Sequence, residues 1–177
     1  GDGQWETVVA EQVVSGTGIA NAYRWLRHTR PADVDPLVDA AVLAAPEPAG
    51  VICSYCGPPK DQGQGQGVVE GSPSIGVDVL CAAAVDMFLS ALGAEAANLA
   101  LRYQAKSGVY IAGGGVAAKL IDHIRDGRVC RSYLGKGHSI GCYDSCPLYV
   151  ASTPGDELGL SGAFQFALEF LHVHHGT

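Results

Sequence analysis

The sequence predicts an α/β domain with helices packed on a mostly parallel sheet, and three observations carry that expectation. Two glycine turns, at residues 15–18 and 113–115, each follow an apolar run rich in β-branched residues and each open a helical pattern. A third such run, Pro147-Leu-Tyr-Val-Ala-Ser152, reaches a turn at Thr153-Pro154-Gly155 before another helical stretch. The 24 glycines and abundant alanines suit helices packed closely on strands and backbone that approaches a ligand.

In chain order, residues 7–14 read as a short buried strand, and the turn at 15–18 leads into a helix with Ile19, Ala22, Tyr23 and Leu26 on one face. Prolines 31 and 36 break that helix, residues 38–43 form a short one, and Pro46-Glu47-Pro48 ends it. Residues 46–76 read as an irregular excursion. Pro58-Pro59, the Gln-Gly alternation of 62–67 and Ser72-Pro73-Ser74 offer little to pack, so this is expected to be a flexible insertion, with a lid or partner-binding loop as the alternative. Residues 77–104 repeat Leu80, Ala84, Met87, Leu92, Ala96, Leu99 and Tyr103 at helical spacing, predicting one buried helix or two joined near Gly93. Residues 108–112 form a strand, residues 116–124 a helix ended by Asp126-Gly127, and residues 128–146 read as irregular. A strand at 147–152 and a helix at 158–171 close the chain.

Composition narrows the partners. A formal charge of −7, with 11 basic residues scattered singly, leaves no basic stripe to neutralise a nucleic-acid backbone. No uninterrupted apolar run approaches the ~20 residues of a membrane span, so neither nucleic acid nor membrane is an expected partner. The six cysteines invite a zinc or redox reading. Cys53-Ser-Tyr-Cys56 has half-site spacing, but Cys142 and Cys146 are three residues apart and far downstream, so reduced, partly buried thiols are the plainer account. His172, His174 and His175 sit at an end expected to fray and receive no role. No signal peptide is evident and the first residue is Gly1, so a cytoplasmic location with the true start further upstream is the expectation.

The two turns aim backbone donors and a positive helix end at whatever lies above them, which suits an anion such as a nucleotide phosphate. Neither ends in the Gly-Lys-Ser/Thr of a P-loop, and Gly113-Gly114-Gly115 lacks the spaced dinucleotide fingerprint. On spacing alone, tight packing and ligand binding both stay open.

Residue identities go further. Gly108-Val-Tyr-Ile-Ala-Gly-Gly-Gly-Val-Ala-Ala-Lys119 resembles the adenosine motif of bacterial-type glucokinases, whose usual form is Gly-Gly-hydrophobic-Tyr/Phe-Ile-Ala-Gly-Gly-Ile. Asn98-Leu-Ala-Leu101 upstream, Pro147-Leu-Tyr-Val150 and Gly159-Leu-Ser-Gly-Ala163 downstream are similar to further family segments, in the family order. Glu11-Gln-Val-Val-Ser-Gly-Thr-Gly18 is similar to the family's Glu-Arg/His-Val-Leu-Ser-Gly-Pro-Gly. The resemblance spans the chain apart from roughly residues 40–76.

It implies the C-terminal lobe of an actin-like, ribonuclease H-like sugar kinase fold, residues 1–177, with the N-terminal lobe outside this sequence. It also implies that the parent enzyme transfers the terminal phosphoryl group of ATP, with Mg2+, to glucose. Glu11 would contact glucose hydroxyls, a role that suits an ionised carboxylate, which only accepts hydrogen bonds. Gly16 and Thr17 would lie beside the phosphates, Thr17 alternatively capping a helix that begins at Ile19. Gly113 and Gly114, with Gly115 sharing the duty, would let the adenosine lie close to the backbone. Lys136-Gly137-His138 departs from the family's Lys-Gly-Arg, so that loop receives no role.

The family's catalytic Asp and its Asp-Gly-Gly-Thr phosphate loop do not occur in this sequence, and the family's Glu-x-x-His sugar motif is expected just ahead of the point where this sequence begins. No residue here is therefore assigned as catalytic, and no turnover is expected from this stretch alone. A homodimer is compatible with the resemblance. A non-catalytic actin-like nucleotide-binding or assembly module is the alternative reading.

Overall fold

Ser15 starts the first helix by accepting a hydrogen bond on its hydroxyl from Gly18 N at 3.0 Å, and helix α1 runs Gly16–Thr29. The computed structural model describes residues 9–59, 76–136, 146–151 and 155–175. The cap therefore lies two residues before Thr17, which sits inside the first turn instead of capping a helix from Ile19. Ile19, Ala22, Tyr23 and Leu26 are buried along one stripe, as their spacing predicts. Arg27 and His28 occupy the last turn, where the helix dipole favours positive charge.

The strand expected at residues 7–14 does not form in its described part. Ala10–Gln12 is a single 3-10 turn, in which Val9 N donates to Gln12 Oε1 at 3.2 Å and Val14 N to the Ala10 carbonyl at 2.7 Å. Val9 and Val13 remain exposed, so their strand propensity finds no neighbouring ladder and local bonds satisfy the backbone instead.

Helix α2, Pro36–Ala44, has proline at its first position, and the Asp35 carboxylate accepts from Leu37 N and Val38 N. Asp39 ties it to α1, accepting from Arg27 Nε at 2.7 Å and Tyr23 Oη at 3.3 Å. The excursion expected from residue 46 is regular at its start: helix α3, Pro48–Ser54, again begins on proline, with Ala49 and Ile52 buried. Pro48 reads as a breaker in the sequence and acts as a helix start. Residues 60–75, which hold the Gln-Gly alternation, lie outside the described residues.

Helix α4, Val79–Tyr103, is one uninterrupted rod capped by Asp78 and ended by Gln104 in a left-handed conformation. By length and a mean hydropathy of 1.6 it could cross a bilayer. Here it is the core helix, with Leu80, Cys81, Ala84, Val85 and Leu89 all fully buried, and it packs against α1 and against the later helix α7, Arg128–Leu134. Gly93 does not break the rod but lets α7 approach: an added Cβ would stand 2.3 Å from the Val129 carbonyl oxygen.

Strand β1, Val109–Ile111, pairs in parallel with β2, Leu148–Val150, in the register Val109 to Leu148, Tyr110 to Tyr149 and Ile111 to Val150. The Tyr110 and Tyr149 rings stack with centroids 4.8 Å apart on the exposed face of this sheet. The class is thus α/β with a parallel sheet, but among the described residues the sheet has two strands and helices dominate.

The single helix expected at 116–124 is two short ones, α5 Val116–Lys119 and α6 Ile121–Arg125, bent at buried Leu120. Residues 128–134 of the stretch expected to be irregular form α7, Arg128–Leu134, which buries Val129 and Tyr133 one helical turn apart. The Arg128 guanidinium ion-pairs with Asp126 and Asp86, fixing α7 to α4. Helix α8, Gly155–His175, ends the described chain and exposes Leu160, Phe164 and Phe166.

Candidate functional site

The N-terminus of α1, the glycine turn before α5 and the start of α3 enclose a cleft of about 430 Å³, within the size range of small-molecule sites. Glu11, Ser15, Gly16, Thr17, Ala20 and Arg24 form one wall, Pro46–Gly50 a second, and Gly115, Val116 and Lys119 the third. Two segments about a hundred residues apart, both singled out by their glycines, thus meet around one space.

Of the sequence-expected site residues, Glu11, Gly16, Thr17 and Gly115 line this cleft. Glu11 lies in the 3-10 turn with its side chain exposed, not at the end of a strand. Thr17 is exposed in the cleft wall, and it is Ser15 that caps the helix. The first amides of a helix have no intrahelical acceptor; Ser15 satisfies Gly18, which leaves those of Gly16 and Thr17 at the cleft wall.

Gly113 and Gly114 do not line the cleft. Gly114 is exposed and an added Cβ there would meet nothing within 4 Å, so the turn has open space before it. Gly115 also faces open space, but its φ of +55° caps α5 in a conformation that L side chains rarely adopt. Glycine is required there by the turn itself.

Sequence reasoning passed over Arg24, Glu47 and Lys119. Arg24 lies seven residues beyond Thr17 on the same face of α1, as Ala20 does at the intermediate spacing, so helical periodicity could have found it. Lys119 follows Gly115 by one turn of α5 and could have been found the same way. Glu47 arrives through the regular start of α3, which the prolines concealed. Two carboxylates and two cations therefore face one space.

The cysteines stand apart from this wall. The Cys53 thiol is pushed up from 9.0 to about 11, by burial first and by neighbouring Cys56 second, with Lys119 acting in the opposite direction. Burial likewise raises Cys56 and Cys81. Buried thiols held protonated are poor nucleophiles and poor metal ligands, and among the described residues no three His, Cys, Asp or Glu side chains could hold a metal ion. Cys56 lies 3.5 Å from His123 Nε2, whose nearer partner is the Gly57 carbonyl at 2.9 Å; these contacts bind the end of α3 to α6. Cys142 lies outside the described residues, as do the side chains of the three C-terminal histidines.

The sequence profile of the glucokinase family matches residues 2–169. Among curated proteins the chain is similar to the glucokinase of Trichormus variabilis, 31% identical over 158 residues, covering 89% of this chain and 43% of that protein. It is similar also to the glucokinase of Synechocystis sp., 32% identical with 86% of this chain and 40% of that protein covered. The glucokinase of Ralstonia nicotianae is 38% identical over 93 residues, covering 52% of this chain and 27% of that protein. No solved structure matches the chain. The chain spans about two fifths of the length of the first two relatives. With the profile running through both glycine turns and most of the residues between and beyond them, the chain belongs to the glucokinase family.

Proposed function

We propose that this chain supplies the nucleotide-holding part and one sugar contact of a glucokinase that transfers the terminal phosphoryl group of ATP to the 6-hydroxyl of glucose. One observation carries the reading: Glu11 and the helix starts after both glycine turns share a single cleft of about 430 Å³. Phosphoryl transfer depends on positioning and on neutralising the charge of the transferred group, more than on covalent chemistry by the protein. Thr17 and the Gly16 and Thr17 amides offer donors to phosphate oxygens, while the Glu11 carboxylate accepts two sugar hydroxyls and so selects which hydroxyl faces the phosphate.

Magnesium would arrive on the nucleotide phosphates and neutralise their charge when bound, and Glu11 and Glu47, which line the cleft, are the carboxylates that could reach it or its waters. The residue that takes the proton from the attacking hydroxyl is not assigned within this sequence. On this reading the lobe carrying it closes over the cleft and excludes water that would otherwise accept the phosphoryl group.

Calorimetric titration of the purified chain tests the reading. Mg-ATP and glucose should both bind, a coupled assay should detect no glucose 6-phosphate, and Glu11→Gln should weaken glucose while leaving ATP unchanged. Glucose affinity indifferent to Glu11→Gln would remove the sugar assignment, and turnover by this chain alone would overturn the division of labour.

A further inference from the structure

Lys119 ends α5, four residues past Gly115, and its backbone N–H donates to the Gly115 carbonyl at 3.3 Å. Its side chain crosses to the opposite wall of the cleft, where Nζ lies 3.1 Å from the place a Cβ on Gly50 would occupy. The approach is that close because residue 50 carries no side chain. Lys119 is exposed, and among the described residues no carboxylate pairs with it, although Glu11 and Glu47 line the same cleft. The second cation, Arg24, is already engaged, its Nη1 donating to Asn21 Oδ1 at 3.2 Å.

A flexible lysine with a compact charge, adjacent to a glycine turn and facing helix N-terminal amides across a ligand-sized cleft, has the chemistry of a phosphate contact. Resting on the nucleotide reading of the cleft, we propose that Lys119 is the cation that holds the phosphate tail of the bound nucleotide, with Gly50 leaving room for its ammonium to reach across. The phosphates would then lie between Thr17 on one wall and Lys119 on the other. Adenosine, which has no phosphate, would draw nothing from either.

The experiment titrates the full chain with ATP and, separately, with adenosine, using wild type, Lys119→Gln, Lys119→Arg and Arg24→Gln. Loss of one charge-assisted bond should weaken ATP by about tenfold or more in Lys119→Gln, with adenosine unchanged. Lys119→Arg should keep most of the ATP affinity, and Arg24→Gln should lose far less than Lys119→Gln. Equal ATP affinity in wild type and Lys119→Gln overturns the proposal while leaving the nucleotide reading standing. A larger loss in Arg24→Gln moves the phosphate to the other wall and overturns it too. Failure of wild type to bind either ATP or adenosine removes the nucleotide reading, and the proposal falls with it.

Discussion

Replacing Gly18 with alanine should unseat the turn that carries Glu11. Gly18 is the third residue of α1, and in a helix the Cβ points back toward the N-terminus. Built there, a Cβ would stand 2.1 Å from the Val13 carbonyl oxygen and 2.3 Å from its carbon. A carbon–oxygen contact needs about 3.3 Å, so backbone must retreat by about 1 Å, and no flexible side-chain end is available to yield in its place. Alanine gains about 1 kcal/mol in intrinsic helix propensity, while forcing an extra methyl into closed packing costs about 1–3 kcal/mol or more. Backbone must move at this site, so the upper part of that range applies and the net effect should be a loss of about 1–2 kcal/mol. Urea unfolding would show it as a lower midpoint at unchanged slope, and, on the sugar contact proposed for Glu11, glucose titration would show weaker binding, because the carbonyl of Val13 directly follows the turn holding Glu11. Gly159→Ala is the internal control: it lies in α8 with nothing within 4 Å, and should be neutral or stabilising by up to about 1 kcal/mol. A Gly18→Ala chain as stable as the Gly159→Ala chain, with glucose affinity intact, would refute this account of the turn.

Three further outcomes follow from the packing. Gly93→Ala should cost about 1–3 kcal/mol by driving α7 off α4, since the new methyl would meet the Val129 carbonyl and Ser132; a urea midpoint equal to wild type would contradict that contact. Asp126→Ala should destabilise by about 3 kcal/mol or more, because Asp126 is 1% exposed and its removal strips the mostly buried Arg128 of a partner; chemical denaturation measures it, and Asp86→Ala, at the more exposed partner, should cost less. Stability should fall as pH rises above 9, because burial raises the Cys53 thiol from 9.0 to about 11. The folded state then holds that proton more tightly than the unfolded chain does. Its contribution is complete below pH 9 and is lost as pH climbs through about 11, with Cys56, Cys81 and Tyr23 shifted the same way. Denaturation across that range should give a shallower fall in Cys53→Ala than in wild type.

The parts legible in the sequence were those where periodicity and burial agree. Ile19, Ala22, Tyr23 and Leu26 announce α1 because the stripe faces a core, and the long repeat from Leu80 announces α4 for the same reason. The first strand was misread because Val9, Val13 and Val14 favour extended backbone only where a neighbouring strand accepts their hydrogen bonds. Helices α3 and α7 were missed for a different reason. Each has seven residues, too few for periodicity to show, and each begins at a breaker, α3 on Pro48 itself and α7 directly after Gly127. That miss concealed part of the site, since Pro46–Gly50 forms a wall of the cleft. Glu11, Gly16, Thr17 and Gly115, which line the cleft, could be named in advance from the family resemblance, and Lys119 by helical spacing from Gly115, whereas Glu47 required knowing which segments meet.

The polar residues of the cleft are exposed, yet each is fixed by a buried neighbour in the chain. Thr17 precedes fully buried Ile19, Lys119 precedes Leu120 at 1% exposure, and Glu47 stands near Ala49 and fully buried Ile52. Ile19, Ala49, Ile52 and Leu120 belong to a single core cluster, so the three walls are anchored in common and no wall can shift without disturbing that packing. A ligand that touches both glycine turns therefore binds to the folded core as a whole. Its binding free energy adds to the stability of every element anchored there, following the linkage between ligand occupancy and unfolding. Hydrogen exchange reads this directly: saturating ATP should slow exchange in α1, α3 and the residues around Leu120 together. Protection confined to one glycine turn would mean that the turns act separately and that the shared cleft is not the nucleotide site.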